Sequence, residues 1–365
     1  MEIKNLTIEQ KIGQMLIIEL QEKQITAETI NIIQKYNIGG IILYRKNYDN
    51  YQEMLKLINK LKEINTVNEI PLFISIDQEG GRVNRMPSEI LNLKSASKLS
   101  STYNIEIVKQ SAKIISEMLT KTGVSMNYSP VLDIKNFEED HAIGDRCYGE
   151  NKEDVSKYGI EFMKELSKGG ILPVIKHFPG HGATKQDSHI MLPVVRKNKA
   201  KLENEDMEPF KNAIQNGAEA IMVGHILAKD IDRKYPASLS KKMIQEYIVE
   251  KLKFKGLIIT DDLKMLAVRL RYSLKRAVTL AINSGNNMII LGTKYKKIEN
   301  IIKNASKKVK KGKIDINIIN ESVEKIIAVK KKYNVSDNEV VGFNIEDINK
   351  KIEELNSKIW LKTPY

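Results

Sequence analysis

Eight short apolar runs, at residues 12–20, 38–44, 71–76, 124–132, 171–175, 218–223, 256–259 and 287–291, are separated from one another by sequence of helical periodicity. Their apolar character is continuous rather than alternating, which marks strands buried on both faces, as in a parallel sheet covered by helices. Parallel neighbours need crossover connections, and crossovers are right-handed, so eight repeats of strand then helix close naturally into a (β/α)8 barrel of the TIM type. A doubly wound open sheet is the competing α/β architecture. It gathers its site at one crevice, whereas here polar residues follow most of the eight runs, so the barrel is expected. The 365 residues then divide into one catalytic barrel at 1–332 and a short C-terminal tail at 333–365, helical over 345–359 and packed back on the barrel.

The residues after the apolar runs are where an α/β barrel places chemistry. They include Asp77, Arg82 and Arg85, Asp133, Arg146, Lys176, His177, His225, and Asp261 with Asp262. The opposite strand ends carry no comparable cluster. The densest stretch runs from Lys176 to Pro193 and holds His177, His181 and His189, three of the five histidines. Pro179 and Pro193 remove backbone donors while Gly180 and Gly182 permit tight turns, so the stretch reads as a long loop beginning at Lys176. Within it Asp187 stands two residues before His189, close enough on a bent chain to accept a ring N–H and fix the tautomer, as suits an acid/base group.

Composition excludes several classes. The net charge of +13 is carried mostly by lysines spread along helices, with no aromatic-rich basic motif, so nucleic acid is not an expected partner. No apolar run is long enough to span a bilayer, and no membrane partner is expected. The opening MEIKNLTIEQKIGQ lacks the hydrophobic core of a secretory signal, which predicts a cytoplasmic protein. Cys147 is the single cysteine, so an intramolecular disulfide is ruled out.

Three chemistries compete for the strand-end cluster. A metal hydrolase could draw on His177, His181 and His189, but the paired short spacing of zinc-binding helices is missing. A phosphate site could use Lys176 and Arg146, yet no glycine-rich turn opens a helix after the seventh or eighth run. A glycoside hydrolase needs a nucleophilic carboxylate, an acid at the leaving oxygen and groups that hold hydroxyls, and this fits best, with Asp261 placed to attack.

The segments LFISIDQEGGRVNR, IGDRCYG, VIKHFPGHGATKQDSH, PASLS and LIITDDLKM, in that order, resemble the family 3 glycoside hydrolases of the β-N-acetylhexosaminidase, NagZ-type branch, over about residues 12–292. The resemblance implies that Asp261 is the nucleophile and that His189 is the acid/base with Asp187 as its partner. It implies that Asp77, Arg85, Arg146, Lys176 and His177 hold a terminal N-acetylglucosamine. The implied reaction is exo-acting and retaining, without metal or organic cofactor. It would act on N-acetyl-β-glucosaminides, muropeptides of cell-wall recycling among them. A β-glucosidase or glycoside phosphorylase of the same family, and a sugar-binding barrel without catalysis, remain alternatives. Asn286 and Asn287 depart from the pattern, standing where the family often has an acid at the end of strand eight.

Overall fold

The computed structural model describes residues 3–135, 143–183, 192–195 and 197–360. Its core is a closed barrel of eight parallel strands, β1 (Leu16–Glu19), β2 (Gly40–Leu43), β3 (Phe73–Ile76), β4 (Met126–Asn127), β5 (Leu172–Phe178), β6 (Ala220–Val223), β7 (Leu257–Thr260) and β8 (Met288–Leu291). Each strand pairs with its neighbours in sequence, and β8 closes on β1 through Leu16 beside Ile289 and Ile18 beside Leu291. All residues of the eight strands are buried, which is why the runs lack polar alternation.

The strands are shorter than the apolar runs, and the surplus has specific uses. The first three residues of the first run belong to helix Ile8–Gln14, whose Thr7 and Gln10 form a reciprocal capping box. Strand β4 stops after two residues, because Pro130 has no N–H to give to a ladder. Pairing with β5 resumes beyond it, where Leu132 N donates to the Lys176 carbonyl at 2.7 Å. Strand β5 continues to Phe178, which corrects the expected loop: Lys176 and His177 are strand residues, held by backbone pairing, and the loop starts after them.

Two further features were not foreseen. Val194–Val195 and Leu227–Ala228 form a small parallel pair outside the barrel, and Ile316–Lys332 is a long helix after the eighth unit. Within that helix Lys330 is fully buried, and its ammonium donates to Gln14 Oε1 (3.2 Å), the Gly39 carbonyl (2.8 Å) and the Pro71 carbonyl (2.6 Å). These acceptors precede β1, β2 and β3, so one lysine, whose pKa burial lowers to about 7, sits at the amino end of the barrel. It gives the Pro71 carbonyl a donor and adds a second one to the Gly39 carbonyl, which also accepts from Phe73 N at 3.1 Å.

Asn286 and Asn287 also sit at the amino end of β8 rather than its carboxyl rim. Asn287 Oδ1 accepts from Ile258 N at 2.9 Å and its amide reaches Ser322 Oγ at 3.2 Å. They tie strand and helix together and line no part of the site. Helix Ile345–Trp360 lies against helix Ile105–Lys121, with Ile348, Ile352, Leu355 and Ile359 buried.

Candidate active site

A cavity of about 630 Å3 opens at the carboxyl ends of the strands, and its lining includes Asp77, Arg85, Arg146, Lys176, His177 and Asp261. Six of the eight residues singled out from sequence therefore converge on one pocket. The other two, Asp187 and His189, lie outside the described residues.

Lys176 organises one wall. Its ammonium is 2.7 Å from Asp77 Oδ1 and 2.6 Å from Glu79 Oε1, with the side chain 2 % exposed. Arg146 reaches Glu79 from another loop with two parallel bonds, Nε to Oε2 at 2.8 Å and Nη2 to Oε1 at 2.7 Å. Burial alone would favour a neutral Glu79, but Lys176 and Arg146 outweigh it and hold the carboxyl far below its ordinary value. Glu79 thus stays ionised and fixes both cations. The turn that delivers it needs glycines, since Gly80 and Gly81 both have positive φ (88° and 57°).

His177 is oriented from behind. Asp133 is completely buried, and its Oδ2 lies 2.7 Å from His177 Nδ1. The same carboxylate accepts the backbone N–H of His177 (3.2 Å to Oδ2) and of His181 (2.5 Å to Oδ1). Burial works against ionisation, yet His177 and His181 hold Asp133 below its ordinary value. With a carboxylate at Nδ1, that nitrogen carries the proton, and Nε2 is left for the cavity that the ring lines.

Asp261 follows β7 and is anchored through its backbone, with N–H donating to the Val223 carbonyl at 3.0 Å. Its Oδ1 accepts the N–H of Asp262 at 2.7 Å. Asp262 also lines the cavity, and it caps its own loop, Oδ1 accepting from Lys264 N and Gly292 N, each at 2.9 Å. Burial pushes its carboxyl up, in contrast to Glu79 and Asp133. A side chain at position 292 would bring Cβ to 2.4 Å from Asp262 Oδ2 and 2.6 Å from Glu19 Oε2, so glycine there lets both carboxylates keep their places. The Asp262 carbonyl is held by buried His225, with Nε2 at 2.9 Å, while His225 Nδ1 meets Ser238 Oγ at 2.7 Å.

The opposite wall was not anticipated. Glu19, at the end of β1, bridges Lys46 and Lys264. Tyr44 stands beside them with the Lys264 ammonium 5.6 Å and the Arg85 guanidinium 5.9 Å from its ring centre. Burial raises the Tyr44 hydroxyl well above its ordinary value, so it is a neutral phenol near neutral pH. Arg85 Nε is buried with no hydrogen-bond partner among the described residues, an N–H that a bound ligand can use. The signal for Glu19 was a charged residue inside an apolar run. Glu79 was visible only as a second acid in DQEGGR. Among the described residues no group of three or more His, Cys, Asp or Glu side chains has the arrangement of a metal site.

Comparison with known proteins places these features in a family. The model of the glycosyl hydrolase family 3 N-terminal domain matches residues 7–329. A β-hexosaminidase of Photobacterium profundum is 32% identical over 278 residues, covering 76% of this chain and 81% of that protein. One of Methylobacillus flagellatus is 28% identical over 295 residues, covering 79% and 83%. The solved structure of a family 3 β-N-acetylglucosaminidase from Paenibacillus sp. str. FPU-7 superposes with a TM-score of 0.92 at 30% identity, covering 97% of this chain and 69% of that one. A closed eight-stranded barrel whose carboxyl rim carries Asp77, Lys176, His177 and Asp261, matched by this family model over most of its length, belongs to glycosyl hydrolase family 3.

Proposed function

We propose that the protein is an exo-acting, retaining β-N-acetylglucosaminidase that removes terminal, non-reducing N-acetyl-β-D-glucosamine. The observation that carries this reading is the fixed donor wall of Lys176, Arg146 and His177 in the same pocket as Asp261. A pocket of this size suits one terminal sugar ring with its aglycone directed outward. The similarly named relatives and structures support the N-acetylglucosaminide as substrate.

Asp261 attacks the anomeric carbon and forms a covalent glycosyl-enzyme, which water then cleaves. Asp77 and the His177 Nε2 accept or donate to ring hydroxyls, and the Arg85 Nε–H and Arg146 hold oxygens of the substituted sugar. His189, set by Asp187, protonates the leaving oxygen and later activates water. An imidazole with an ordinary pKa of about 6.5 reaches both states near neutrality. The reading needs no metal or organic cofactor. Muropeptides of cytoplasmic cell-wall recycling are the proposed physiological source of substrate.

Hydrolysis of 4-nitrophenyl N-acetyl-β-glucosaminide, run beside the glucoside and with and without phosphate, is the direct test. Asp261→Asn should abolish turnover. His189→Ala should lose far more on substrates with poor leaving groups than on the nitrophenyl one, since only the former need acid assistance. A wild type that leaves the compound untouched, or an Asp261→Asn enzyme as active as wild type, refutes the assignment.

A further inference from the structure

The segment that follows Asp261 is more basic than the pocket requires. Arg269, Arg271 and Arg276 are exposed on it, and Arg233, Lys234 and Lys241 are exposed on the segment after β6. The two segments are in contact: Tyr272 Oη donates to the Lys234 carbonyl at 3.3 Å, and the Tyr235 and Tyr272 rings lie 6.2 Å apart. A groove of about 690 Å3 runs along the Lys234 side. None of these six cations forms an ion pair among the described residues. Asp232, an acid on the same face, is occupied by Ser240 Oγ and by the N–H groups of Lys234 and Tyr235.

The segment after Asp261 also exposes apolar surface. Of the six large apolar side chains that stand out into solvent among the described residues, only Leu266 (46 % exposed) and Leu270 (71 % exposed) are one helical turn apart. Both stand beside the arginines in sequence. A soluble polyanion would neutralise the cations but leave both leucines in water. An anionic bilayer answers both features, because the leucines enter the acyl boundary while the cations remain at the headgroups.

We propose that Leu266, Leu270 and these six cations form a docking surface for a lipid bilayer of negative surface charge. The proposal revises the expectation of no membrane partner, since surface docking requires no crossing helix. Met265, one residue before Leu266, lines the pocket, so docking holds the pocket mouth at the plane of the bilayer. The inference stands apart from the sugar reading and does not depend on it.

The test is co-sedimentation of the full chain with vesicles. Binding is expected to phosphatidylcholine vesicles containing phosphatidylglycerol and not to pure phosphatidylcholine. Raising salt from about 0.1 M to about 0.5 M should lower partitioning about tenfold, as screening shortens the reach of the cations. Leu270→Ser, which keeps every charge, should weaken binding several-fold, and the double variant Arg269→Glu/Arg271→Glu should abolish it. Both variants should keep the wild-type melting temperature and the wild-type rate on the soluble nitrophenyl substrate. No binding to the anionic vesicles, equal binding by Leu270→Ser and wild type, or capture by heparin or DNA in preference to vesicles would overturn the proposal. Vesicle binding by a protein inactive on the sugar would sink only the sugar assignment.

Discussion

Lys176 lies 99 residues from Asp77, yet one ammonium serves both Asp77 and Glu79 and thereby sets the spacing of the donor wall. Replacing it by methionine keeps the volume but removes two charge-assisted bonds. One such bond contributes about 2 kcal/mol or more, so Lys176→Met should lower kcat/KM at least about thirtyfold. Steady-state kinetics beside a melting curve would separate this from unfolding. His225 makes a subtler case. It is not among the residues that line the cavity, but it holds the carbonyl of Asp262, which is, and so the backbone on which Asp261 sits. We expect His225→Ala to lower kcat about tenfold with KM little changed, and His225→Gln, whose amide can still donate to that carbonyl, to restore part of the loss. A change confined to KM would show that His225 shapes sugar binding instead. Asp77, Lys176, His177 and Asp261 were legible because each stands within two residues of the end of an apolar run. Glu79 was not, because what makes it the hub is the reach of Arg146 from a distant loop, and no local pattern records that reach.

At the scale of elements, the barrel was legible because burial on both faces leaves an unbroken apolar run, and eight such runs admit few closed arrangements. Two elements escaped that logic. Strand β4 looked continuous, but apolar character reports burial and not pairing, and Pro130 breaks the pairing. Helix Ile316–Lys332 was hidden by the polar, lysine-rich sequence before it, although its buried face includes Ile319, Val323 and Ile326. Its last turn delivers Lys330 to the barrel floor. Lys330→Met leaves the Pro71 carbonyl without its donor, at a cost of about 1–3 kcal/mol, while the Gly39 carbonyl keeps the Phe73 N–H. The variant should lose about 3 kcal/mol in urea unfolding while kcat is unchanged, since the floor lies across the barrel from Asp261. Loss of kcat in a protein of normal stability would show that the floor is coupled to the rim.

For the molecule as a whole, a net charge of +13 means that every buried carboxylate counts twice, as a partner to a buried cation and as a brake on self-repulsion. Glu79 and Asp133 carry most weight, because the fold holds both below their ordinary values of 4.5 and 3.8 despite burial. A carboxyl depressed in the folded state stabilises fully above its unfolded value and progressively less as pH falls toward the folded one, where the unfolded chain binds the extra proton first. Stability should therefore hold from neutrality to about pH 5 and then fall steeply as Glu79, and below it Asp133, lose their contribution. Glu79→Gln isolates one share of that fall. At pH 7 it takes from Lys176 and Arg146 the carboxylate they share and should be about 3 kcal/mol less stable than wild type. Below pH 4.5 wild type loses the Glu79 contribution while the variant has none to lose, so the gap between their urea midpoints should narrow steadily toward pH 2. A gap that stays constant across that range would mean that the amide hurts through shape alone, and that the Lys176–Glu79–Arg146 charges do not hold the rim together.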